Sequence, residues 1–231
     1  MIRVFDVDFM FLDLAFTIFW IALLYRRGYI KPLLFGVLGI ILNFIIDYGI
    51  WYSVMGIRTL EGLPIWMSPL SFFVYFSITY GMVQYSYVQV MFSFQSTDEN
   101  SERWRRYRWS ALLFGGWLVI GFISFFWSFM DSEVTVIRYM NEQRFIEVAV
   151  VIAMYALLAY LASRKKFDLN LRRIAYIFSV GFFVHFSMEF TLLLSGIRKS
   201  GVFDLVFNSF LEFNMGTPLL YLMLVGLVPI I

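Results

Sequence analysis

Asn43-Phe44-Ile45-Ile46-Asp47 lies inside a mostly apolar run, from about residue 32 to 56, that is long enough to cross a bilayer. A carboxylate at the centre of such a run costs about 3 kcal/mol on insertion scales, and acids held there usually face a bundle interior or a wet cavity. Asn43 and Asp47 are four residues apart, so on a helix they share one face and address the same partner. The rest of the chain extends this pattern.

Of the 231 residues, 61% are hydrophobic and 21% aromatic, too little polar matter to clothe a soluble domain of this size. The apolar runs are long and continuous, without the alternation of a transmembrane barrel. The fold class is therefore all-α, a polytopic helical membrane protein. Seven spans are expected at about 5–25, 32–56, 68–95, 109–130, 145–163, 174–196 and 203–230. Short connections make residues 1–231 a single transmembrane domain. Twelve of the eighteen basic residues fall in the loops after spans 1, 3 and 5, so the positive-inside rule sets the N-terminus outside and the C-terminus in the cytoplasm of a plasma or ER-type membrane. Asp6 and Asp8 lead the first span where a cleaved signal would be basic, which makes it a mature helix. Pro32 and Pro69 fit the first turns of helices, whereas Pro218 is expected to kink the seventh span. The mixed-charge, aromatic segment from Thr97 to Arg108 reads as an interfacial anchor, with no nucleic-acid role.

The two ends of the chain resemble each other. Leu12-Asp13-Leu14-Ala15 matches Ile146-Glu147-Val148-Ala149; Asn43 and Asp47 match His185 and Glu189; both following helices end in Gly-Ile-Arg, at Arg58 and Arg198. This predicts a 3+1+3 parallel repeat, with a first triple-helix bundle at 1–96, a connector helix at 97–134 and a second bundle at 135–231. The fourth span, free of ionisable residues between Trp109 and Met130, reads as a connector facing lipid.

Five acids lie within the spans, Asp13, Asp47, Glu147, Glu189 and Glu212, and no Lys or Arg lies deep in any of them. Four follow a polar residue by four positions: Asn43 with Asp47, Gln143 with Glu147, His185 with Glu189 and Asn208 with Glu212. At 1.5 Å per residue, His185 falls near the midplane and most of the acids roughly 3 to 6 Å to its outer side. The economical arrangement is a cavity in the outer half, with Tyr48, Trp51, Tyr80, Gln84, Asn214 and Thr217 as further wall residues. Acids without basic partners are protonated, bonded to neutral polar groups, or face a cationic species. His185 is a core imidazole bonded to Glu189, a proton relay with it, or a metal ligand; no His-rich or Cys spacing supports the last, and there is no cysteine. No phosphate loop, HExxH or GxSxG motif occurs, and the last span has no lysine for a retinal Schiff base. No cofactor or metal is called for.

Tyr25, the basic loop through Arg26, Arg27 and Lys31, the Asn43-x-x-x-Asp47 pair and Glu212 in the last span together resemble the integral-membrane terpene cyclases of meroterpenoid and indole-diterpenoid pathways. That family usually has Trp-Glu where this chain has Ile46-Asp47, and Asp where it has Glu212. The resemblance implies seven helices and acid-initiated cyclisation or isomerisation of a lipid-soluble isoprenoid. Asp47, Glu212 and Glu189 would then be the catalytic acids. Asn43, His185, Asp13, Asn208, Trp51 and Tyr80 would contact the substrate. The 3+1+3 layout is also similar to that of the SWEET transporters, although their proline-glutamine signature is missing; a proton- or cation-coupled small-molecule carrier would use the same acids. A seven-helix receptor or scaffold is the third reading.

Overall fold

A computed structural model describes residues 1–93, 99–127, 129–130, 132–139, 143–199 and 201–226. The chain is mostly helical and, among the described residues, carries five helices long and apolar enough to cross a membrane: Val7–Arg26, Ile30–Val54, Asn100–Phe126, Arg144–Ser163 and Leu171–Leu194. Strand β1 (Ile2–Asp6) leads into α1 (Val7–Arg26), where Asp6 caps the helix by accepting a hydrogen bond from the Asp8 amide at 2.8 Å. Helix α2 (Ile30–Phe44) continues as a π-helical segment, Ile45–Val54, before strand β2 (Arg58–Glu61). The third expected span is helix α3 (Pro69–Phe76), a second π-helical segment (Ser77–Gly81) and α4 (Met82–Ser93) in unbroken succession. Ser68 and Ser71 cap α3 reciprocally and Pro69 opens it, so the missing proline N–H costs nothing. Then come α5 (Glu99–Phe126), β3 (Glu133–Arg138), α6 (Gln143–Ser163), α7 (Leu171–Leu194), α8 (Val202–Leu211) and α9 (Thr217–Gly226).

Three features depart from the sequence reading. The seventh expected span is two short helices, and the break precedes Pro218 rather than following from it: the chain turns at residues 212–216 and Pro218 sits in the first turn of α9. Helix α5 is not simply lipid-facing, because Trp109, Leu113, Trp117 and Ile120 form a buried stripe and the helix packs on both α1 and α7. The fold also contains a sheet. Strands β1, β3 and β2 form an antiparallel sheet in that order, with Ile2 opposite Ile137 and Arg58 opposite Arg138. β3 runs across the boundary inferred at 134–135; the boundary at 96–97 and the end of the seventh span at 227–230 lie outside the described residues.

Two glycines set a close helix crossing. A Cβ added to Gly39 would lie 2.5 Å from the Gly81 carbonyl oxygen, and one added to Gly81 would lie 2.6 Å from the Gly39 carbonyl carbon. Helix α2 therefore meets the second π-helical segment backbone to backbone, as small residues allow between membrane helices. The flanks present Phe11, Ile18, Leu34, Ile41, Ile146 and Ile152 outward, the surface that hydrocarbon favours.

Candidate functional site

The sheet turns arginines inward. Side chains alternate across a strand: Arg3 and Phe5 of β1 are buried, as are Val134, Val136 and Arg138 of β3, and Arg58 of β2. Arg198 joins through an isolated antiparallel bridge to Arg3. Gly56 and Gly196, at φ of +61° and +71°, reverse the chain where the preceding helices end, a conformation that glycine adopts without a Cβ penalty. Each reversal is followed by Ile and then by an arginine that folds back on its own helix. Arg58 pairs with Asp47 at 2.8 Å, and Arg198 pairs with Glu189.

The other arginines complete an ion-pair array. Arg3 also pairs with Glu189; Arg138 reaches Glu147 at 2.8 Å and Glu212 at 3.1 Å; Arg144 reaches Glu147 at 2.7 Å and Glu212 at 3.6 Å. The expectation that the intramembrane acids lack basic partners thus holds among the described residues for Asp13 and is overturned for Asp47, Glu147, Glu189 and Glu212. Their partners come not from the helices but from strands and turns that fold back over the helix ends. Burial pushes Arg58 down to about 10 while Asp47 beside it pulls the other way, so the guanidinium stays charged at neutral pH. Trp51 supports the array from within the bundle, its ring centroid 5.0 Å from the Arg58 guanidinium carbon and 3.8 Å from that of Arg138.

Beneath this array lies a cavity of about 370 Å³. Arg3, Arg58, Asp47, His185 and Glu212 give it one charged end, and Leu42, Ile46, Phe76, Tyr85, Met188, Phe213 and Leu220 make most of the remaining wall apolar. Asn43 and Asp47 both line it, as do Trp51, Tyr80 and Gln84. Asp47 sits in the π-helical segment, a distortion that recurs at functional sites because it re-aims side chains. Helices α2 and α9 both pack on α4 but form no extended contact with each other, so the cavity lies in the groove between them, over Gln84 and Tyr85. The Tyr80 hydroxyl is buried and has no hydrogen-bond partner among the described residues.

His185 Nε2 lies 3.3 Å from Oε2 of Glu212 and 3.6 Å from Oε1 of Glu189. These three residues bring one ligand atom each to within 4.8 Å of one another, close enough to hold a metal ion. The guanidinium groups of Arg3, Arg198 and Arg138 already compete for the carboxylate oxygens, and their charge opposes a cation there.

The remaining sequence candidates lie elsewhere. Glu189 is fully buried under Arg3 and Arg198, outside the cavity lining. Asn208 accepts from Arg144. Asp13 sits apart, accepting hydrogen bonds from the Tyr75 hydroxyl at 3.1 Å and the Trp117 indole at 3.3 Å. Asn214 accepts from the Tyr155 hydroxyl at 2.7 Å, and Tyr48 stacks between Phe44 and Tyr52. The side chain of Gln143 lies outside the described residues. Arg3, Arg58, Arg138 and Arg198 were missed as partners, although the doubled Gly-Ile-Arg pointed to two of them. No protein-family model, curated protein or solved structure matches the chain.

Proposed function

We propose that the chain is a seven-pass integral membrane protein, with its strand-bearing end outside, that draws a lipid-soluble, isoprenoid-like molecule into the cavity and rearranges it by proton transfer. In this reading α3 to α4 and α8 to α9 form the third and seventh passes, which returns each of the three basic loops to the cytoplasmic side. The observation that carries the proposal is the cavity itself. It is apolar and aromatic, set in a groove between two helices, and has a histidine and a carboxylate 3.3 Å apart in its wall.

The His185–Glu212 pair holds one proton between imidazole and carboxyl and gives it to an alkene or epoxide of the substrate, and a second alkene attacks the cation to close a ring. The rings of Trp51, Phe76, Tyr80, Tyr85 and Phe213 stabilise the passing positive charge. Glu212 takes the final proton and returns it to His185, so the reaction is balanced without metal or nucleotide. Asp47, ion-paired to Arg58, supplies fixed negative charge to the wall. The Tyr80 hydroxyl supplies a polar contact for an oxygen-bearing substrate.

The experiment is mass spectrometry of isoprenoid lipids from cells making the wild type, His185→Gln or Glu212→Gln. A product present only with the wild type supports the proposal; identical profiles in all three count against it.

A second reading is favoured by one observation. The recurrence of an acid, a left-handed glycine and a returning arginine in both halves suits the repeat of a 3+1+3 carrier. Proteoliposomes loaded with a pH dye test it, and acidification indifferent to Asp47→Asn and Glu189→Gln would dismiss it.

A further inference from the structure

The opposite end of the molecule carries a second, differently built site. The chain between α1 and α2 meets the first turns of α5, and there Arg27, Tyr29, Arg105, Arg108 and Trp109 line a cavity of about 360 Å³. Trp109 is buried and anchors the floor: its ring centroid lies 5.7 Å from that of Tyr29 and 5.0 Å from that of Trp20, and the Arg27 guanidinium lies over it at 5.8 Å. A second cavity of about 510 Å³ shares Tyr29 and Arg105 with the first and continues along Ile30, Lys31, Pro32 and Val90.

The charge here differs from that of the strand end. There, the inward guanidinium groups meet carboxylates; here, no salt bridge joins Arg27, Arg105 or Arg108 to a carboxylate among the described residues, whereas neighbouring Arg106 pairs with Glu102. Three guanidinium groups converge on one concavity with a tyrosine and a buried tryptophan, at the level where the apolar part of α5 begins. Guanidinium forks match phosphate oxygens, and an adjoining apolar wall accommodates glycerol and the start of acyl chains. Basic pockets between membrane helices on the cytoplasmic side bind anionic head groups in this way.

We propose that Arg27, Arg105 and Arg108, with Tyr29 and Trp109, form a binding site for the phosphate of an anionic phospholipid, whose acyl chains follow Ile30, Pro32 and Val90. The site is separate from the cavity beneath the sheet and is independent of the reaction proposed for it.

The test is native mass spectrometry of the delipidated full chain in detergent, offered phosphatidylglycerol or phosphatidylcholine. The wild type should retain phosphatidylglycerol preferentially. Arg27→Gln/Arg105→Gln/Arg108→Gln should reduce that retention by about tenfold or more, since each basic residue near a membrane surface contributes a several-fold effect. The Lys triple variant, which keeps the charge but loses the guanidinium fork, should retain part of the binding, more than the Gln variant, and equal melting curves for the variants and the wild type separate lost binding from misfolding. Replacing Arg164, Lys165 and Lys166 with Gln, on another basic loop, should leave retention unchanged. Equal retention of both lipids, equal loss in the control variant, or displacement of the lipid by inorganic phosphate alone would each overturn the assignment.

Discussion

Arg58 and Arg138 stand directly opposite each other across the β2–β3 ladder, both turned into the helices and both against the face of Trp51. Like charges facing across strands are destabilising on their own. The pair persists because Asp47, Glu147 and Glu212 lie beneath it. The sheet and the acids beneath it therefore stabilise each other.

Removing one partner of a buried pair strands the other charge, a loss of about 3 to 5 kcal/mol. Arg58→Gln should lower thermal stability in detergent more than Arg58→Gln combined with Asp47→Asn. Strictly additive effects in that double-mutant cycle would show that the two residues do not depend on each other.

Trp51 contacts two desolvated guanidinium groups, a setting in which each cation–π contact is worth about 2 kcal/mol. Trp51→Phe should retain part of that stability and Trp51→Ala should lose it. Equal unfolding temperatures for the two variants would remove the indole from the array.

At the Gly39–Gly81 crossing, the atoms a new methyl would meet are mainly backbone, which cannot swing aside. Gly81→Ala should cost about 1 to 3 kcal/mol as an overpacking change. Gly115→Ala, which enters open space on α5, should be neutral or slightly stabilising. The comparison needs only the two melting curves, and a neutral Gly81→Ala would mean the helices part without cost.

Asp13 and His185 should separate stability from chemistry. Asp13→Asn disturbs the bonds from Tyr75 and Trp117, a change of about 1 to 3 kcal/mol, and should leave any isoprenoid product profile unaltered. His185→Gln should do the reverse. A product profile that changes with Asp13→Asn would extend the reacting site beyond the cavity.

The apolar runs were legible in the sequence because twenty-residue hydrophobic stretches have few alternatives. So was the convergence on one cavity of Asn43, Asp47, His185 and Glu212, since helical spacing and span order bring them to one depth. The sheet was not. Strands of four to six residues gain stability only from partners far along the chain, and residues 2–6, 58–61 and 133–138 carry no local signal of that pairing. Glu133-Val-Thr-Val-Ile-Arg138 does alternate, with Val134, Val136 and Arg138 buried, but it is brief and bounded by apolar helices. Because the strands were missed, basic residues that seemed scattered outside the spans were not recognised as partners of the acids within them. The break before Pro218 was misread for a similar reason. A proline inside an apolar run suggests a kink, yet here it opens a new helix after the turn that sets Glu212 against the array.

The sheet also imposes a timetable on synthesis. Asp47 is followed within a dozen residues by Arg58, so that pair can close almost as soon as both have been made. Arg3, by contrast, is bound by Glu189, 186 residues later. At ~5–20 residues per second, the interval is roughly 10 to 40 s. A chain halted before α7 therefore holds an arginine without its carboxylate, and only completion of the last third neutralises it. The earliest residues to be made become a check that the latest have arrived.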